Sequence, residues 1–290
     1  MTEREQWSSL EQTIRLMAKE TPGKLSISIV DVENDLTIRY CEQEVLSLAS
    51  VGKLFILGCL LDKCQQGERS LEDEVWMSKE DLVSGSGLLQ YMKTERRQSV
   101  YDLAYLMVVV SDNTATNLLL KYIGGAPAVK QHLQALGIHR SGVNRRIAMT
   151  DEDIKMGHFA DGCAADLTDY LCLMEDGKIL DPTYLGVFND MLRHQEYKNM
   201  FLKQMPLEEH FDEGIEGTLE TGSKTGFDGD TRADAGWIQK PDGKMIVYAI
   251  VAGGSGDTQY TDDNVAVSSM AAMGKCFYEK ILLEDRRETC

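Results

Sequence analysis

Three short segments of the chain carry side chains suited to acyl chemistry. Ser50-Val51-Gly52-Lys53 stands just ahead of the apolar run Leu54-Phe55-Ile56-Leu57. If Ser50 opens a helix there, its hydroxyl and the Lys53 amine lie three residues apart on one face. A hydroxyl is a weak nucleophile at neutral pH and needs a base within hydrogen-bond reach. A lysine whose pKa is lowered by burial can be that base, and the positive end of a helix stabilises an oxyanion forming beside Ser50. The ordinary alternative is a capping serine followed by a surface lysine. Ser111-Asp112-Asn113 follows Leu106-Met107-Val108-Val109-Val110. It reads either as the cap of a helix over Thr114 to Tyr122 or as a proton-relay hydroxyl with an amide, Asn113, that grips a substrate carbonyl or amide. Lys224-Thr225-Gly226, behind Thr221-Gly222-Ser223, is either a plain strand start or a cleft edge. As an edge it offers N–H groups, a cation and a hydroxyl to an acidic acyl substrate, and Gly226 permits close approach to the backbone.

These segments need elements to bring them together. Lys24 to Tyr40 alternates Leu25, Ile27 and Ile29 with Ser26 and Ser28, turns at Glu33-Asn34-Asp35, and resumes with Leu36, Ile38 and Tyr40. That period of two predicts a β-hairpin. A second hairpin is predicted where Ala235 to Ile238 and Lys244 to Val251 flank Pro241-Asp242-Gly243. Ahead of the first hairpin, Met1 to Lys24 reads as an amphipathic helix with Leu10, Ile14 and Met17 on one face. Helical patterns cover about 50–66, 101–121, 125–136 and 164–175, and a last one about 264–283 follows Gly253-Gly254-Ser255-Gly256. Strands at both ends and helices between them predict an α/β (α+β) molecule. Its first and last strands share one antiparallel sheet covered by the terminal helices, beside an all-helical lobe. The sheet lobe is expected from residues 1–45 and 213–290, the helical lobe from 46–212, with the ligand cleft between them.

Composition narrows the function. Thirty Lys+Arg against 47 Asp+Glu leave a formal charge of −17, which repels nucleic-acid backbones and anionic membranes. No apolar run reaches the ~20 residues that span a bilayer, so neither nucleic acid nor membrane is an expected partner. Seven cysteines, an odd number without CxxC pairs, and no secretory pattern at the N-terminus point to a reducing cytoplasm. The five histidines show no metal spacing, and Gly85-Ser86-Gly87 reads as a flexible cleft turn rather than a nucleotide loop. Neither metal nor cofactor is expected.

The order Ser-x-x-Lys, Ser-x-Asn and Lys-Thr-Gly, spread along nearly the whole chain, resembles the serine β-lactamase and penicillin-binding-protein superfamily, and its class A β-lactamase branch in particular. Ser111 to Leu120 with Ile123-Gly124-Gly125, and Ala164 to Leu173, are similar to that branch as well. The resemblance implies a five-stranded antiparallel sheet and a monomer acting on a small β-lactam or peptide-like amide. It implies Ser50 as acylated nucleophile, Lys53 as base, and Ser111 relaying a proton to the leaving nitrogen with help from Lys224. Asn113 would bind the substrate's side-chain amide, and Thr225 with Arg232 its carboxylate. The N–H groups of Ser50 and Phe227 would form an oxyanion hole.

One part of the pattern is missing. Class A enzymes hydrolyse the acyl-enzyme with a Glu-x-x-Asn element on the Ω-loop, whereas Asn144 to Gly162 reads NRRIAMTDEDIKMGHFADG. Glu152 is its only glutamate and a candidate deacylation base, although the Asp151-Glu152-Asp153 trio also suits a solvated helix start. His158 is a remoter candidate, and Arg145 or Arg146 could anchor the loop to Asp161. Acylation with slow deacylation is therefore expected. The alternatives are a penicillin sensor that does not turn over, an intracellular amidase or peptidase, or a glutaminase of the same fold.

Overall fold

The computed structural model describes residues 2–34, 36–148, 155, 157–207, 219–239, 243 and 245–282. Helix α1, Glu3–Glu20, begins at a reciprocal cap: the Thr2 hydroxyl accepts from the Glu5 N–H at 3.3 Å, and the Glu5 carboxylate accepts from the Thr2 N–H at 2.9 Å. Its buried residues Trp7, Leu10, Ile14 and Ala18 recur at helical spacing. The chain then forms strands β1, Lys24–Asp31, and β2, Leu36–Tyr40. The Asp31 carboxylate accepts from the Glu33 and Asn34 N–H groups and folds the turn between them.

Strands β8, Thr221–Asp228, β9, Thr231–Gln239, and β10, Met245–Gly253, complete a five-stranded antiparallel sheet of order β2-β1-β10-β9-β8. Lys24 to Asp31 pairs with Gly253 to Ile246, so the ends of the chain meet in the middle of the sheet. Burial on both faces explains why β10, MIVYAIVAG, is apolar throughout instead of alternating. Val247, Ala249 and Val251 join the core on the side of the central helices. Ile246, Tyr248, Ile250 and Ala252 join the core beneath α1 and the last helix, Val265–Phe277. Strand β8 is the outer strand of this sheet, which leaves it free to face a ligand.

The helical part is built around α2, Lys53–Gln65, most of which is buried. Around it lie α3, Val100–Val109, α4, Asn113–Ile123, α5, Ala126–Ala135, α6, Ala164–Glu175, and α7, Pro182–Arg193; the Val265–Phe277 helix is α8. The sequence suggested one helical stretch over 101–121, but it breaks at Val110-Ser111-Asp112, and Asp112 caps α4 by accepting from the Ala115 N–H at 2.9 Å. The lobe also holds short strands that its sequence pattern did not foretell. Strand β4, Glu74–Met77, pairs with β5, Arg96–Ser99; β3, Leu46–Ser47, and β6, Gly142–Val143, pair with β7, Ala160–Gly162. They are too short for a period of two to register.

Close backbone packing ties α8 to the segment that follows α7. A Cβ added at Gly274 would lie 1.7 Å from the Phe201 carbonyl oxygen. Gly274→Ala should therefore overpack this contact and cost about 1–3 kcal/mol. A thermal melt reads that as a Tm lower by several degrees, and an unchanged Tm would show that the helix shifts freely there.

Candidate active site

Ser50 does not open α2 as its spacing suggested. It sits half-buried in a 3₁₀ turn, Ala49–Gly52, that runs into α2 at Lys53. Ala49 enters this turn with φ at +44°, a left-handed backbone that costs a residue with a Cβ about 1–3 kcal/mol and tends to persist at functional sites. Neighbours fix the turn on two sides. The Leu48 N–H donates to the Ala160 carbonyl at 2.9 Å, and a Cβ at Gly52 would lie 2.4 Å from the Ala160 Cβ.

Lys53 is fully buried. Its Nζ donates to the Ser111 carbonyl at 2.7 Å, to the Ser111 Oγ at 3.0 Å and to the Asn113 Oδ1 at 3.0 Å, using all three ammonium hydrogens. Burial, with the Lys224 charge adding to it, holds the amine well below the ordinary lysine pKa, and Asp112 opposes the shift. Ser111 reaches Lys53 from a left-handed backbone, φ +55°. Two of the three sequence segments therefore meet through direct hydrogen bonds.

Strand β8 brings the third. A Cβ at Gly226 would stand 2.7 Å from the Leu48 carbonyl and 3.0 Å from the Ser50 N–H nitrogen, so only glycine lets β8 lie this close to the Ser50 turn. Lys224, one face with Gly226 by strand alternation, is fully buried and donates to the Thr225 carbonyl at 2.7 Å. Burial lowers its pKa to about 7, with Asp234 opposing. Asp234 is itself fully buried and accepts from the Phe201 N–H at 3.0 Å and the Tyr248 hydroxyl at 3.1 Å; burial raises its carboxyl to about 7. The Thr225 hydroxyl is buried with no hydrogen-bond partner, an acceptor-donor held ready for a ligand.

Arg232 is the residue whose position departs most from expectation. It faces Phe227 across the β8–β9 register and is fully buried. One terminal nitrogen donates to the Gly229 and Thr231 carbonyls at 2.9 and 2.6 Å, the other to the Gln259 carbonyl. Its guanidinium also lies against the Phe227 and Tyr260 rings, 5.3 and 5.0 Å from their centroids. Its donors are thus directed at backbone carbonyls rather than into the space beside Lys224.

The contacts that fasten the Ser111-Asp112-Asn113 corner, and the role of Asn117, were not read from the sequence. The Asp112 carboxylate, besides capping α4, accepts from the Leu88 and Leu89 N–H groups at 2.7 and 2.8 Å. The Asn113 N–H donates to the Ser86 carbonyl at 3.1 Å and its amide to the Ser84 carbonyl at 3.0 Å. The Gly85-Ser86-Gly87 turn is therefore fastened to the 111–114 segment rather than a flexible lip. Asn117, one turn beyond Asn113, bonds Ile147 in both directions, at 2.6 and 2.8 Å, and anchors the start of the unusual loop.

In that loop, Glu152 lies outside the described residues. His158 bonds Asp161 at 2.6 Å through Nδ1 and has a largely exposed side chain. Arg145 does not reach Asp161: it donates to the Gly157 carbonyl through Nε at 2.9 Å and through a terminal nitrogen at 2.6 Å. Asn144 takes the Asp161 contact instead, at 2.8 Å.

The fold that carries these residues, a five-stranded antiparallel sheet beside a helical lobe, is shared with solved structures. PBP-A, solved as a mutant acyl-enzyme with penicillin G, superposes with a TM-score of 0.80 at 22% identity over 94% of this chain and 96% of that one. A β-lactamase from Sphaerobacter thermophilus gives 0.80 at 22% identity over 96% and 98%. Residues 9–281 match the model of the β-lactamase enzyme family, and the chain belongs to that family. Among curated relatives, the Bacillus amyloliquefaciens β-lactamase is 24% identical over 89% of this chain and 81% of its own length. The Rhodobacter capsulatus β-lactamase is 23% identical over 64% of this chain. The chain spans only 63% of that relative's length, and 47% of a Proteus vulgaris β-lactamase.

The two lysines predict a defined pH dependence for acylation of Ser50 with Lys53 as its base. In that case only neutral Lys53 accepts a proton, so the rate of Ser50 modification should rise with pH through its lowered pKa and then level off. Lys224 is cationic below about 7, so affinity for an anionic substrate should fall as pH rises past that point, while a neutral ester's affinity stays flat. Lys53→Arg, which cannot deprotonate, should slow acylation by about 10²–10⁴-fold. Stopped-flow acylation against pH measures all of these, and a flat profile with an active Arg variant would remove Lys53 as the base.

Proposed function

We propose that this protein is a serine hydrolase that forms an acyl-enzyme at Ser50 with β-lactams or related small amides and releases it slowly. The observation that carries the reading is the buried Lys53 amine, one turn from Ser50 and bonded to Ser111 and Asn113. In this reading the neutral amine takes the Ser50 proton as the hydroxyl adds to the amide carbonyl. The tetrahedral oxyanion is held by the Ser50 and Phe227 N–H groups; removing one such donor in comparable sites costs about 10²–10³ in rate. Collapse breaks the C–N bond; Ser111 gives its proton to the departing nitrogen and takes one back from the Lys53 ammonium 3.0 Å away, which restores the neutral amine, with the Lys224 charge beside it. Thr225 and Lys224 take the substrate carboxylate, and Asn113 its side-chain amide. The penicillin G acyl-enzyme of the PBP-A neighbour and the β-lactamases among the relatives support the substrate class.

Slow release follows from the sequence of the loop. Asn144 to Gly162 has no Glu-x-x-Asn, and the described part of it commits His158 to Asp161. Without the base and positioned water that a Glu-x-x-Asn element supplies, hydrolysis of the ester lags behind its formation. The same observation favours a second reading, a penicillin-binding protein that does not turn over.

Intact-mass spectrometry after brief penicillin treatment is the test. One drug mass should appear on Ser50, be absent from Ser50→Ala, and persist for minutes or longer; permanent retention selects the sensor. A nitrocefin turnover on the order of 10² s⁻¹ would refute slow deacylation, and a labelled Ser50→Ala would remove the nucleophile.

A further inference from the structure

We propose that Arg232 is a positioning residue rather than a receptor for the substrate carboxylate: it clamps the loop before α8 onto the β8–β9 turn and so holds Phe227 in place. The proposal rests on the acyl-enzyme reading for the role of the Phe227 N–H. It departs from that reading's usual assignment of an arginine here.

The observations converge on a clamp. Arg232 stands opposite Phe227 in the strand register, and from there its guanidinium spans two segments. It donates to Gly229 and Thr231 in the β8–β9 turn and to Gln259 in the loop before α8. Two aromatic faces pack on the cation, Phe227 from β8 and Tyr260 from the loop, and the two rings stack on each other at 6.3 Å and 23°. A parallel tie reinforces the closure: Asp230 accepts from the Gly256 N–H at 2.8 Å. The loop is further pinned from within, because Asp257 accepts from the Gln259 and Val265 N–H groups.

The same geometry disfavours a carboxylate. Three of the five guanidinium N–H donors are spent on backbone carbonyls of the two segments, whereas the buried Thr225 hydroxyl has no partner at all. Tyr260, itself 67% exposed, covers the cation. Asp230 and Asp257 are close enough to act on the guanidinium charge, so part of it is already answered from within the fold. An incoming anion would gain little there. Binding of the carboxylate is left to Lys224 and the unpartnered Thr225 hydroxyl.

The two roles separate in one comparison. Acylation is followed for a penicillin and for its neutral methyl ester, with wild type, Arg232→Met, Arg232→Lys and Tyr260→Ala. A positioning residue predicts that Arg232→Met slows the acylation step about 10- to 100-fold for acid and ester alike, their ratio staying within about twofold of wild type. The loss should fall in the acylation rate constant and not in the binding constant. Arg232→Lys should not restore the rate, since one ammonium cannot serve carbonyls on both segments. A loss confined to the acid, with weaker binding and rescue by lysine, overturns the proposal. If Arg232→Met does not fold, Tyr260→Ala carries the same acid-to-ester comparison with the same two outcomes. If wild type is never acylated, the function reading has failed, and the clamp is judged by hydrogen exchange alone. Amides of residues 229–231 and 256–262 should then exchange about tenfold faster in Arg232→Met or Tyr260→Ala, and unchanged exchange overturns the clamp.

Discussion

The site depends on keeping an amine out of water. Lys53 is buried between α2 and the Ser111 corner, and three oxygen acceptors surround it. An isolated ammonium in such a place is costly, so the group gives up its proton more readily than a lysine in solvent. Everything around it maintains that condition. Ser111 holds a left-handed backbone conformation and presents both its hydroxyl and its carbonyl to Lys53, and Asp112 spends its carboxylate on the cap of α4 and on Leu88 and Leu89. The second buried amine, Lys224, adds repulsion from the strand side.

The sheet supplies what the helices cannot. An outer strand can approach another segment with its backbone, and Gly226 removes the side chain that would keep β8 away from Ser50. Behind it, Asp234 links β9 to Phe201 and Tyr248, so the strand bearing Lys224 rests on a polar contact inside an otherwise apolar layer. The two halves of the site thus have different mechanical origins. Ser50, Lys53, Ser111 and Asn113 are set by helix ends and tight turns, whereas Lys224, Thr225 and Phe227 are set by strand register.

Much of this was legible in the chain because periodicity and spacing are local properties. Alternation in Leu25-Ile27-Ile29 and the apolar run after Lys53 mark the sheet and the central helix, and the Ser-x-x-Lys, Ser-x-Asn and Lys-Thr-Gly trio marks the site. Apart from one helix, what escaped depends on distant partners. Helix α7 was not anticipated, although Asp181 caps it and Pro182 starts it, a recognised start signal. Whether Ser50 begins a helix or sits in the turn before it is decided by Ala160 and β8, not by its neighbours in sequence. Arg232 is a cation on a strand near the site, which suits an anion receptor equally well until Gln259 and Tyr260 are seen to occupy it. Asn117 acts only through Ile147, thirty residues away.

The pairing of β1 with β10 has a consequence for biogenesis. Ribosomes release about 5–20 residues per second, and Lys24 must find Gly253. The N-terminal hairpin, with Leu25, Ile27 and Ile29 uncovered, therefore waits on the order of ten seconds or more before its partner strand is made. Sheet closure is a late event in such a topology. During that interval the nascent chain carries an unpaired strand edge, the kind of edge that pairs with other chains.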